Sequence, residues 1–295
     1  MAAAVISCLS PSSKILKRNP QFWLKTNGLL LCYYYGRARG SDFKLQFIVC
    51  NPTTKNYAVL PKLDGLATAC HGYLAFDPSK SPYHYKVALF DYRPDHYQIH
   101  VYSSQSLCWR KVFPDQNCFG FGRGVFWNGA IHWPTDDHFL KRFDVDVEEI
   151  IAMPNPQSPK ILSRYRTMYF GGCGGGLILI QSPSYCPSEF SILELEKDYS
   201  GWVVKCRVNL RPLISEFPEM ESRSHKNSNS YSVLHAVEGE NGSDFALLLA
   251  TPRRIISYNL KYKTWNVLRD LMLRESKKIC LKSYAFPFME TLFPV

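Results

Sequence analysis

The sequence predicts an all-β chain folded as a β-propeller. Three observations carry this. An apolar strand, a tight polar turn and a second strand recur five times, over residues 47–61, 99–112, 140–154, 190–206 and 255–268. The turn markers Thr53, Ser104, Asp146, Asp198 and Tyr262 are 51, 42, 52 and 64 residues apart. Repeats of roughly 40–50 residues, each holding several short strands, are the pattern of propeller blades. Aromatic residues make up 14% of the chain, an excess that suits strands.

The elements follow from alternation and from β-branched or aromatic runs bounded by turn residues. The first blade is expected to hold strands at 28–34, 47–51 and 57–61. The second holds 72–77, 86–92, 98–103 and 109–112, and the third 124–127, 130–133, 140–145 and 149–154. The fourth holds 165–170, 176–181, 190–196 and 202–208, and the fifth 232–237, 244–251, 255–260 and 264–268. A strand-like piece at 284–292 remains, so the expectation is five recognisable four-stranded blades plus a fragmentary sixth closed by the C-terminal strand. An unfilled sixth blade predicts imperfect closure, and with it low solubility or dimerisation. Residues 1–26 read as a disordered or remnant segment and 27–295 as the propeller. Residues 211–231 read as a mobile loop, and 269–278 as a short basic helix.

Each outer strand opens with a large residue, Tyr57, Trp109, Ile150, Trp202 or Trp265. Recurrence in every blade favours a role in covering the gap between blades over one in stacking on a ligand.

Composition bounds the function. No window approaches the ~20 apolar residues of a membrane helix, so no membrane partner is expected. Ten cysteines occur without a CxxC pair or zinc-ligand spacing. Cys32, Cys50 and Cys206 sit in apolar strand runs, as free thiols do. That usage suits a reducing compartment, the cytoplasm or nucleus. The formal charge is +10, with six basic residues and no acid in residues 1–41, and nine basic against two acidic in 253–282. Scattered lysines without a recognition motif imply no specific nucleic acid, only weak, salt-sensitive affinity.

Chemistry-bearing motifs are few. The glycine run 171–176 is followed by Leu177–Ile180, a strand, where a phosphate loop would open a helix. His132 and His138 flank Trp133, Asp136 and Asp137, but no third zinc ligand is specified. The run from Asp144 to Glu148 lacks the glycine and closing glutamate of a calcium loop. No metal, cofactor or catalytic residue is assigned, and the chain reads as a non-enzyme.

Several segments together resemble the plant F-box-associated domain, a kelch-like propeller. They are NGLLLC from Asn27, VCNPTTK from Val49, VYSS before Trp109-Arg110, VFWNGAIHW from Val125, the run from Phe143 to Pro154, GGCGGGLILI, and YAFPFMETL from Tyr284. The likeness covers residues 27–292. It implies a module that captures an unknown protein substrate for an SCF-type cullin-RING ubiquitin ligase. The F-box of that family docks on the Skp adaptor. Only 26 residues precede Asn27, with Pro11, Pro20 and no leucine-rich helical repeat, so adaptor binding is expected only where a longer form supplies an F-box. The alternatives are a stand-alone interaction or decoy propeller, and a glycan-binding or enzymatic one. Loop residues carry binding on such scaffolds. The candidate contacts are Tyr83, His84, Trp133, Asp136, Asp137 and Arg253.

Overall fold

The computed structural model describes residues 21–37, 43–63, 65–66, 70–93, 97–114, 124–135, 139–156, 164–186, 188–221, 230–239, 244–271 and 291–295. They form five four-stranded antiparallel sheets, each a simple meander. Blade 1 is Gln21–Thr26 (β1), Leu29–Arg37 (β2), Phe43–Asn51 (β3) and Asn56–Val59 (β4). Blade 2 is Cys70–Ala75 (β5), Lys86–Tyr92 (β6), Tyr97–Ser103 (β7) and Cys108–Val112 (β8). Blade 3 is Val125–Trp127 (β9), Ala130–Pro134 (β10), Leu140–Asp144 (β11) and Ile150–Ala152 (β12). Blade 4 is Tyr165–Cys173 (β13), Gly176–Pro183 (β14), Glu189–Leu195 (β15) and Trp202–Asn209 (β16). Blade 5 is Ser232–Glu238 (β17), Phe245–Ala250 (β18), Arg254–Asn259 (β19) and Thr264–Asp270 (β20).

The first strands of successive sheets, β1, β5, β9, β13 and β17, lie side by side, and the fourth strands are outermost. This is the radial plan of a propeller. The inner sheets are buried on both faces, so β6 and β14 read as continuous apolar runs, whereas β18 and β19 of blade 5 alternate buried with half-buried positions. In β6, Val87 and Leu89 pack toward blade 1 while Ala88 and Phe90 pack toward blade 3. In β14, Leu177 and Leu179 face blade 3 while Ile178 and Ile180 face blade 5.

The outer-strand aromatics close the gaps between blades. Trp109 Nε1 donates to the Pro61 carbonyl at 2.9 Å, and Trp202 Nε1 to the Pro154 carbonyl at 2.8 Å. In each case the acceptor is 48 residues back, just past the outer strand of the preceding blade. Trp265 meets Phe217 edge-on at 6.1 Å. Tyr57 packs on Leu30, Cys32, Ile48 and Cys50, the face of blade 1 that looks away from blade 2.

Three expectations are corrected. Blade 1 has a fourth strand, β1, inside the segment expected to be a remnant. Asn27 (φ 44°) and Gly28 (φ 86°) form the tight left-handed turn that joins β1 to β2. The loop over 211–231 carries a short helix, Arg211–Glu216 (α1), and a 3-10 turn, Pro218–Met220. Leu213, Phe217 and Met220 are buried against blades 4 and 5, and this apolar spacing anchors the segment. Arg269 and Asp270 belong to β20, and residues 272–278 of the expected basic helix lie outside the described residues. No sixth sheet occurs among the described residues. Residues 284–290 of the expected closing strand, and residues 1–20, lie outside them.

The last residues do reach blade 1. Asn51, wholly buried, donates from Nδ2 to the carbonyls of Thr291 (2.9 Å) and Phe293 (2.7 Å). The Thr291 N–H donates to Thr53 Oγ1 at 3.2 Å, and the Phe293 ring meets Phe76 at 5.6 Å.

Candidate binding faces

The meander sends turns to two ends of the propeller. The first-to-second and third-to-fourth strand turns of every blade share one end, the hairpin end. The second-to-third connections and the blade-to-blade links share the other, the loop end. Interblade bonds confirm that the blades run the same way. Asn27 Nδ2 donates to the Phe76 carbonyl (2.8 Å) and Asn128 Nδ2 to the Lys197 carbonyl (3.2 Å), hairpin turn to hairpin turn.

The hairpin end is built alike in each blade. A left-handed residue stands in the turn just ahead of each outer strand: Lys55, Leu107, Glu148, Tyr199 and Lys263 have φ between 53° and 66°. Asn51, Asp144 and Asn259 each accept two backbone N–H groups of the turn that follows. Asp144 is therefore a turn cap, and that use explains the calcium-loop likeness. Lys86 Nζ binds the Val145 carbonyl (2.6 Å) and Asp146 Oδ1 (2.8 Å), and its hydrogen bond holds the Asp146 carboxyl below its usual pKa. The glycine run is the hairpin between β13 and β14, at the same end. Gly174 (φ 58°) and Gly175 (φ 84°) make its turn, and a Cβ on Gly174 would meet the Glu238 carboxylate. This end holds blades together through these contacts, and it also exposes Tyr83, Leu107, Val147 and Tyr262.

The loop end varies from blade to blade. Among the described residues of its loops, Phe113, Phe139 and Tyr185 are exposed apolar side chains. Arg93 bridges buried Asp91 and the Gly65 carbonyl, pinning the link between blades 1 and 2. Arg254 binds Glu219 at 2.6 Å and Asp270 at 3.3 Å, pinning the link between blades 4 and 5.

The structure splits the candidate contacts. Tyr83 (67% exposed) and exposed His84 are at the hairpin end, between β5 and β6. Exposed Arg253 is at the loop end, between β18 and β19. Trp133 is a correction: it is 0% exposed and packs on Phe90 between blades 2 and 3, so it presents no surface. Asp136, Asp137 and His138 lie outside the described residues. Sequence reasoning missed Phe113, Phe139 and Tyr185. The turn residues around Tyr185, in SPSYCPSE, were the available signal.

Buried titratable groups serve the core. Burial pushes the Cys70 and Cys173 thiols up to about 12, which keeps them protonated and poor nucleophiles. Among the described residues no group of three or more His, Cys, Asp or Glu is placed to hold a metal ion. His132 is bonded through Nε2 to the Tyr199 hydroxyl (2.9 Å), stacked on that ring, and lowered by burial to about 4. It stays neutral in the folded chain to about pH 4, whereas an unfolded histidine takes up a proton near 6.5. Its contribution is therefore complete above pH 6.5 and is lost as pH falls toward 4, by about 3 kcal/mol. Melting temperatures measured from pH 7.5 to 4.5 should fall, and His132→Gln should flatten the part of the slope below pH 6.5. An equal slope in that variant would contradict the assignment.

The chain matches one protein family, described as the F-box associated beta propeller domain, over residues 7–215. The F-box protein At5g07610 of Arabidopsis thaliana is 34% identical over 272 residues, covering 83% of this chain and 62% of that protein. The F-box protein At1g47340 of the same plant is 27% identical over 117 residues, covering 39% of this chain and 25% of that protein. The chain thus spans less than two thirds of the length of these relatives. Among solved structures, TolB from Acinetobacter baumannii gives a TM-score of 0.39 at 12% identity, over 80% of this chain and 51% of that one. A chain of the nidogen/laminin complex gives 0.43 at 10% identity, over 89% and 83%. Likenesses at these scores carry no weight in the assignment. The family match spans most of the five blades and the identity to an F-box protein runs through most of the chain: it belongs to the F-box associated beta propeller domain family.

Proposed function

We propose that the chain is the substrate-recognition module of an SCF-type cullin-RING ubiquitin ligase, with no catalysis of its own, working in the cytoplasm or nucleus. The observation that carries this is the 34% identity to an F-box protein across 83% of the chain. The geometry supports a division of labour. The hairpin end repeats one turn design and ties blades together, although Tyr83, Leu107, Val147 and Tyr262 are exposed there. The loop end, with Phe113, Phe139, Tyr185 and Arg253 exposed, is left for a protein substrate. Contact with the Skp adaptor belongs to a form that carries an F-box.

The same reading includes closure by the C-terminus. Leu271 is tied to the Arg253 carbonyl at the loop end of blade 5, and Thr291 to Thr53 at the hairpin end of blade 1. In this reading the C-terminal part of the chain supplies a fragmentary sixth blade.

The test is affinity purification of the tagged chain from plant cells under proteasome inhibition, with cross-linking. The expected result is a small set of proteins cross-linked at the loop end, which accumulate when the chain is depleted. Captured proteins whose abundance ignores the chain would favour a stand-alone or decoy role, and binding on a glycan array would favour a lectin.

A further inference from the structure

The five outermost strands differ in how they protect their free edges. An outer strand presents unpaired N–H and C=O groups, which natural sheets blunt by shortness or by charges within the strand. β4 has four residues and β12 has three. β8 carries Arg110 and Lys111, and β16 carries Lys205 and Arg207. β20 has neither device over its first five residues. Thr264–Leu268 is uncharged, rich in strand formers, and exposed at every position. Trp265 is 38% exposed, Val267 45% and Leu268 58%. β20 pairs only with β19, so its outer backbone groups have no ladder partner among the described residues.

Charge marks the two ends of this edge. Lys263 immediately precedes β20, and Arg253 lies at its far end, where its carbonyl accepts from the Leu271 N–H. Both are exposed and make no ion pair among the described residues. Neighbouring cations are engaged: Lys261 with Asp244 at 2.8 Å, and Arg254 with Glu219 and Asp270. A seven-residue strand spans roughly 23 Å, which sets the spacing of the two free charges.

We propose that β20 is a docking edge that takes an extended segment of a partner protein as a fifth strand, with apolar residues along it and a carboxylate at each end. Backbone hydrogen bonds would supply the attraction, and the terminal charges the register. A second copy of this chain is the poorer occupant. Antiparallel pairing of two β20 strands would set each Lys263 beside the other copy's Arg253, like charge against like, with Asp270 at that end already bound to Arg254. The inference rests on reading the propeller as a protein-binding module and adds a surface outside the loop end.

The test uses the full chain and a fluorescein-labelled nine-residue peptide of alternating valine and threonine with glutamate at both ends. The expected result is saturable binding, weakened at least tenfold when alternate peptide nitrogens are methylated or the end residues are lysine. Leu268→Glu should weaken it similarly with an unchanged melt. Exchanging both charges, Lys263→Glu with Arg253→Glu, should make the lysine-ended peptide the better ligand. No binding, binding indifferent to N-methylation, or a sedimenting dimer that Leu268→Glu dissolves would each overturn the proposal. No adaptor enters this assay, so its failure leaves the ligase reading to its own test.

Discussion

Replacing Asn51 with alanine should cost about 3 kcal/mol, because one buried side chain serves four backbone partners. Its Nδ2 donates to the Thr291 and Phe293 carbonyls, and its Oδ1 accepts from the N–H groups of Thr53 and Thr54. Each buried group left without a partner costs about 1–3 kcal/mol, and the turn groups near solvent recover part of the loss. The melting temperature should drop by roughly 6–12 °C for a chain of this size. Asn51→Asp separates the two halves of the role. It keeps the turn-capping oxygen but sets a carboxylate against two carbonyl oxygens, so it should be at least as damaging as alanine. Thermal unfolding of the wild type, both variants and a chain ending at residue 290 makes the measurement. In the shortened chain the alanine substitution should cost clearly less, since half its partners are gone. An equal cost with and without residues 291–295 would show that Asn51 only caps its turn.

The same latch shows what the sequence could reveal. The repeat was legible because blades 1, 2, 3 and 5 use the same third-to-fourth strand turn, with a polar cap, a left-handed residue and then a bulky one, and blade 4 varies it with Asp198 as the cap. These are local features, and their spacing survives in a single sequence. The contact of Asn51 with Thr291 and Phe293 spans 240 and 242 residues, and no local pattern encodes it. β1 was a different failure. Asn27-Gly28 is a strong hairpin signal, and a hairpin needs a strand on each side. Reading it as a starting point hid the strand before it. Residues 211–231 read as polar because the run SRSHKNSNS over 222–230 dominates the composition. Yet Leu213, Phe217 and Met220 fall on one side of the segment and decide its burial.

The candidate contacts exposed a deeper limit. Propeller sheets are covered on both faces, so an aromatic residue in a strand has no polar–apolar alternation to betray which way it points. Trp133 was read as exposed because Pro134, Asp136 and Asp137 follow it closely in sequence. Its neighbours in space are Phe90 and Phe143, set by the stacking of blade 2 on blade 3. Arg253 and Tyr83 are exposed, but the alternating strand directions put them at opposite ends. Whether they share a surface depends on which hairpin turn each occupies, which is a property of topology rather than of residue type.

Trp133 then yields the second large expected effect, opposite in kind to that of a contact residue. Trp133→Ala should destabilise the propeller by about 3–5 kcal/mol, the usual cost of removing a large buried aromatic side chain. The side chain is wholly buried, its ring lies 5.3 Å from that of Phe90 at a 67° angle, and Phe90 in turn meets Phe143 at 5.7 Å. The three rings join strands β6, β10 and β11 across the interface of blades 2 and 3. Alanine would leave a cavity that neither rigid sheet can collapse to fill, whereas Trp133→Phe keeps most of the edge-to-face packing and should cost much less. Phe139→Ala is the comparison at the surface, since that residue is 38% exposed at the loop end, in the connection between β10 and β11. Its effect on stability should be under about 1 kcal/mol, and under the proposed function its effect on substrate capture should be the larger of the two. Denaturant midpoints for the three variants, with partner binding measured below each midpoint, distinguish the roles. A Trp133→Ala chain that melts like the wild type but loses its partner would return Trp133 to the binding surface.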